Sequence, residues 1–269
     1  MVLRSTVRSI ALVCALLLGT TLVAPALAPR EYVRQAVQTE LAADRNDHSR
    51  WLYYDIDRKP NNTVEQWVAD TGKGSLHRVM MHNGQPASQN SQRSQMDGFI
   101  GDPSAQARQG RANQHDDNQS ADLLHLLPDA FLWKQTGEHN GGVFLHFTPD
   151  PSFNPPTWAS RVFAAMAGDL EIDATQHRIV SLRGQITHPV RFCGGLCGSI
   201  DSGGTVNIER RQTGPGIWQI VETHVHIHGT ILFFKSISQS EDEVKSRFER
   251  LPDNVTLRQA ETDLMNKKG

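Results

Sequence analysis

Residues 216–238 read GIWQIVETHVHIHGTILFFKSIS. From Val221 to His228 the pattern alternates strictly: Val221, Thr223, Val225 and Ile227 leave one face, and Glu222, His224, His226 and His228 leave the other. Successive side chains of a strand point to opposite sides of a sheet, so this is a half-buried antiparallel strand with one wet face. Gly229 then acts as a pivot into a second strand.

Upstream, the chain supplies strands able to lie beside this one. Residues 30–43 place Val33, Val37 and Leu41 four apart with Ala36 beside them, which predicts an amphipathic helix. Three alternating runs follow at 51–57, 63–70 and 76–82, separated by Lys59-Pro60-Asn61-Asn62 and Thr71-Gly72-Lys73-Gly74 and closed by the Asn83-Gly84 turn. Residues 85–128 shift to Gln, Asn, Ser, Arg and Asp, and end in the greasy cluster Leu123, Leu124, Leu126, Leu127; they predict a polar helical insertion, a lid. Strands resume on either side of Gly137-Glu138-His139-Asn140-Gly141-Gly142, then a helix with Trp158, Val162, Ala165 and Met166 on one side, then further strands up to the opening stretch. Downstream, Ser240 with Glu243 reads as a capping box starting a helix with Val244, Phe248 and Leu251, stopped by Pro252; Thr256 with Gln259 starts a last helix.

The sum is an α+β fold: one large curved antiparallel sheet of roughly ten strands, a half-barrel, with an N-terminal helix, a central helical lid and C-terminal helices over residues 240–269, the helices lying against its inner side. Residues 29–269 form a single domain. Residues 1–28 carry Arg4 and Arg8, the apolar run 10–23 and Ala26-Leu27-Ala28, the order of an export signal. The run is short for a membrane span, so no stable span is expected after cleavage, and the mature chain is expected in the periplasm or secreted. A retained N-terminal anchor is the alternative.

Removing that segment takes two of 27 basic residues and none of 29 acidic ones, leaving a net charge of about −4. Sequence-independent nucleic-acid binding needs a basic stripe that this chain lacks. Cys193 and Cys197 remain in an exported chain, where a local disulfide across the glycine turn or two quiet thiols are expected rather than a redox pair or half of a zinc site.

The order of elements, with Gly168-Asp169-Leu170-Glu171-Ile172-Asp173 followed by the strand His177-Arg178-Ile179-Val180-Ser181-Leu182, resembles the LolA-like periplasmic lipoprotein-carrier half-barrels. Leu127-Pro128-Asp129-Ala130-Phe131, Pro155-Pro156-Thr157, Arg161-Val162-Phe163 and Arg250-Leu251-Pro252-Asp253-Asn254-Val255-Thr256-Leu257 resemble uncharacterised exported proteins of soil acidobacteria, across nearly the whole mature chain. The first resemblance implies a non-enzymatic carrier or sensor, holding a lipid, an acyl chain or a lipoprotein segment on a concave face under a lid. The second brings no activity.

Candidate residues follow from chemistry. Trp51, Tyr53, Trp67, Leu123, Leu127, Val225 and Ile227 are the candidate cavity lining. The ladder His224, His226, His228 with Glu222 is the candidate metal site. Imidazoles on one strand face sit about 7 Å apart per step, so adjacent pairs can share Zn²⁺ or Cu²⁺ with help from a neighbouring strand, and a bound metal would activate water for hydrolysis. The competing expectation is that these histidines face water, and that no cofactor is used. Asp201-Ser202-Gly203-Gly204 has the look of a protease nucleophile segment, but its partner motifs are absent and Ser-Gly-Gly is ordinary turn chemistry. His115-Asp116-Asp117 reads as a solvated triplet in a polar segment. A further reading is an envelope protein that binds a partner through its sheet edges.

Overall fold

A computed structural model describes residues 28–195, 197–231 and 235–268. The expected export signal falls on residues lying outside these, apart from Ala28. Among the described residues the elements are α1 (Pro29–Asn46), β1 (Arg50–Lys59), β2 (Asn62–Thr71), β3 (Gly74–His82), β4 (Gln85–Pro86), α2 (Gln89–Ile100), α3 (Pro103–Ala130), β5 (Phe131–His139), β6 (Gly142–Pro149), α4 (Trp158–Phe163), β7 (Met166–Asp173), β8 (Ile179–Ile186), β9 (Val190–Phe192), β10 (Gly198–Ile200), β11 (Thr205–Gly214), β12 (Ile217–Ile231), β13 (Lys235–Leu251) and α5 (Leu257–Met265).

The fold is α+β, with one open antiparallel sheet of 13 strands that does not close on itself. Its order is β4-β3-β2-β1-β13-β12-β11-β8-β7-β6-β5, with β9 and β10 beside the end of β12. The opening stretch lies at its centre: β12 runs straight through Gly229, where an added Cβ would come within 2.4 Å of the Ser199 carbonyl oxygen of β10. Only glycine permits that approach.

Two expectations are overturned: Gly229 is not a pivot, because β12 continues through it to Ile231, and the helix expected from Ser240 does not form. Residues 240–251 are not a helix but the second half of β13, paired with β12 on one side and β1 on the other. The long-range ladder satisfies a whole row of backbone groups on two sides, which outweighs a local capping signal. Two smaller differences follow. Helix α3 continues past Leu127 to Ala130 with Pro128 inside it, and the α4 helix is short, because β7 already begins at Met166. The capping box at Thr256 and Gln259 does form and starts α5.

Residues paired across neighbouring strands share a face, and following the register shows that the helices occupy both faces, not only the inner one. Leu145, Leu170 and Leu182 form one row that continues through Ile208 and Thr223 to Glu243 and Asp57. This is the α1 face. On it α1 packs Val33, Ala36, Val37 and Leu41 against Leu145, Leu170 and Ile172, joined by Leu127 and Ala130 from the end of α3. Leu52, Tyr54, Trp67, Ala69 and Leu76 point the other way and form a second core with Met96 of α2 and Ala260 and Leu264 of α5. Between the two cores lie β11, β12 and most of β13.

Helix α3 ties the ends together. Near its start Gln109 accepts from the Ser75 backbone N–H (2.8 Å) and donates to the Ser75 carbonyl (3.1 Å), at the β2–β3 turn. Its last turn is buried beside α1 and leads directly into edge strand β5. Between these anchors residues 111–120 are exposed on every side. From Gln109 to Ala130 a helix spans about 32 Å. The nine strand-to-strand steps from β3 to β5 measure about 43 Å along the sheet. The chord is shorter than the arc, so the sheet bends, and α3 is a strap joining its two ends.

Candidate functional site

Two side-chain constellations stand on the central strands, one per face. On the face away from α1, β12 presents Glu222, His224 and His226 and β13 presents Asp242 and Ser240 directly opposite. One Asp242 oxygen accepts from His224 Nδ1 (2.6 Å) and from His226 Nε2 (3.1 Å), while His226 Nδ1 accepts from the Ser240 hydroxyl (2.9 Å). Glu222 lies 3.6 Å from His224 Nε2 and 3.4 Å from Arg211. The hydrogen bond to Asp242 raises the His224 pKa above the ordinary histidine value, against partial burial and with help from Glu222. The same bond holds Asp242 below the usual carboxylate range.

The sheet surface beyond this cluster carries the solvent-exposed Arg183, which pairs with Glu209, and the solvent-exposed Asp169 and His146, which are bonded to each other. The histidines therefore stand on a wet face, and Asp242 of β13 supplies the partner that the two ring nitrogens share. His228 lies on the same face and is exposed. Among the described residues no group of three or more His, Cys, Asp or Glu has the geometry to hold a metal ion.

On the α1 face the candidate lining residues separate. Val225 and Ile227 are half-buried; Ile227 and Val206 lean on the α1 core, whereas Val225 and Ile208 belong to neither core. Leu127 is fully buried beside α1, and Leu123 is half-exposed one turn earlier on the strap. Trp51 and Tyr53 are on this face, where the Phe248 ring stacks on Tyr53 (5.4 Å) and meets Trp51 edge-on (6.2 Å). Trp67 faces the opposite way, packed on Tyr54 and donating to the Lys268 carbonyl next to α5. It shares no surface with the others.

Beside Tyr53 the strands carry a polar network that alternation alone would have flagged, since Asp55 and Asp57 continue the Trp51–Tyr53 face of β1. Gln66 donates to Asp55 (2.8 Å) and faces His77 Nδ1 at 3.2 Å, so His77 carries its proton on Nδ1 and Gln66 accepts it. Asp55 is 4% exposed, and its second oxygen has no hydrogen-bond partner. Burial, with Glu243 and Asp57 nearby and only Gln66 and Lys245 opposing, pushes its carboxyl up to about 6. Burial likewise lowers His77, keeping it neutral, and pushes the Tyr53 hydroxyl well above its ordinary value.

Helix α1 is fixed over this face by Glu40. Its carboxylate accepts from Arg178 Nε (3.0 Å) and Nη2 (2.9 Å) and from the Ile179 backbone N–H (2.8 Å), and pairs with Arg210 of β11. The outer side of α1 bears an open groove of about 530 Å³ lined by Gln35, Thr39, Ala42 and Ala43 among others. Cys193 and Cys197 form a disulfide with Cα atoms 5.4 Å apart, closing the turn between β9 and β10. Asp201-Ser202-Gly203-Gly204 is the turn between β10 and β11, and His115-Asp116-Asp117 is exposed on the strap.

No protein-family model, no curated protein and no solved structure matches the chain.

Proposed function

We propose that the protein is an exported, non-enzymatic carrier or sensor that holds a hydrophobic ligand, a lipid, an acyl chain or a lipoprotein segment, on the α1 face of its curved sheet. The observation that carries this reading is the gap between the two cores. Ile208 and Val225 lie half-exposed on adjacent strands, outside both cores, on the side bridged by the strap α3. An apolar strip that belongs to neither core among the described residues is suited to burying an apolar guest. The apolar N-terminal segment supports export, and no helix among the described residues is long and apolar enough to cross a membrane.

Native mass spectrometry and lipid extraction of the mature protein, purified from a cell envelope, test the reading. A co-purifying lipid or acyl species is expected, and its loss in an Ile208→Asp, Val225→Asp double variant. A wild-type protein that carries no such species and binds no alkyl-chain probe when titrated would overturn it.

A further inference from the structure

The α1 face is apolar at one end and carboxylate-rich at the other. Following one register row, Leu182 and Ile208 give way to Thr223, then Glu243, then Asp57. Lysines account for part of that negative charge. Lys59 bonds both Asp57 (2.7 Å) and Glu241 (2.9 Å), and Lys245 bonds Glu243 (3.1 Å) while lying over the Tyr53 ring. Among the described residues Asp55 has no cation within bonding distance, and its one hydrogen-bond partner is the neutral Gln66 amide. Among the described residues one of its oxygens is buried with no partner, on the same face as Tyr53, as is one oxygen of Asp57 two residues along, whereas most buried polar atoms in a folded chain are satisfied. A buried carboxylate held on one oxygen by a neutral donor, among other acids, accepts a positively charged donor better than anything else.

We infer that Asp55 anchors an ammonium group on the ligand of the α1 face, so that the cargo is a cationic amphiphile with its head against β1 and its tail across β12 and β11. The inference rests on the carrier function proposed for the same face. From β1 to β11 is three strand steps, about 14 Å, room for the alkyl chain of a medium-length amine to reach Ile208. Glu243, at the rim, is the second acidic contact, and Lys245 must swing off Tyr53 to admit the head.

The test is titration of the purified mature chain with dodecylammonium and with dodecanol, followed by tryptophan fluorescence, for wild type, Asp55→Asn and Glu243→Gln. The expected result is binding of the amine about tenfold tighter than the alcohol by wild type. That preference should shrink to about twofold in Asp55→Asn, with dodecanol affinity unchanged, and shrink partially in Glu243→Gln. A pH series on wild type gives the same answer without a substitution. The groups facing Asp55 are Asp57 on its own strand, Gln66 and His77 from β2 and β3, and Glu243 and Lys245 from β13. Of these carboxylates Asp55 is the one raised to about 6, so the preference should fade between pH 7 and 5. Equal affinities for amine and alcohol, or a preference unmoved both by Asp55→Asn and by pH, overturn the anchor and leave the carrier reading standing. Failure of both probes to bind overturns both.

Discussion

Replacing Glu40 by alanine removes the single carboxylate that neutralises two arginines at the seam between α1 and the sheet. The Glu40 and Arg178 side chains are 6% and 7% exposed, and Arg210 is 17% exposed. Three charge-assisted contacts and the Ile179 N–H converge on one group, so the alanine variant strands a buried guanidinium and orphans a backbone donor. Breaking a buried pair from one side costs about 4 kcal/mol. For a chain of this length that lowers Tm by about 12 °C. Burial alone would raise the Glu40 pKa, but the bonds from Arg178 and Arg210 outweigh it and hold the group below its ordinary 4.5. Its stabilisation is therefore fully present above pH 4.5 and is lost as pH falls through the lowered native value. Urea unfolding followed by circular dichroism at pH 7 and again at pH 3 measures both effects. A loss under about 1 kcal/mol at pH 7, or a difference between wild type and Glu40→Ala that does not narrow at pH 3, would refute the assignment of Glu40 as the pin of α1.

Two further outcomes are expected. His224 should titrate above 6.5 in an NMR pH series, and Asp242→Asn should bring it down; the stabilisation from this pair is present below pH 6.5 and disappears as pH rises through the raised value. An unshifted His224 in wild type would mean that the two side chains do not meet in solution. Gly168→Ala should destabilise by about 3 kcal/mol in denaturant melts, because an added Cβ would lie 1.8 Å from the Arg183 carbonyl oxygen on β8, a backbone atom that cannot yield without parting two strands. A variant as stable as wild type would show that β7 and β8 are farther apart than described.

The central strand was legible because eight-residue alternation has one simple geometric solution, and the strap was legible as a helical insertion through its composition. The misreading of residues 240–251 has a specific cause. In a regular strand Val244 and Leu251, an odd number of residues apart, would face opposite ways. The bulge at Arg247, whose φ is +55°, inserts one residue and returns Leu251 to the side of Val244 while sending Phe248 to Tyr53. A strand carrying that insertion mimics the four-then-three spacing of a helix. The same misreading hid Asp242, because a helical segment offers no residue opposite His224. Alternation in β1 places Asp55 on the Tyr53 face, but its pairing with Gln66, like that of Glu40 with Arg178, joins separate elements and leaves no periodic trace in one strand.

The exposed part of α3 has a consequence for the width of the fold. A free-standing rod between two attachment points sets a gauge, and its length changes only in units of about 1.5 Å per residue, or 5.4 Å per full turn. Because residues 111–120 belong to neither core, adding or deleting one turn there would open or tighten the span between β3 and β5 without changing the make-up of either core. A chain built this way can change the width of its curved sheet by editing a spacer rather than by redesigning the sheet itself.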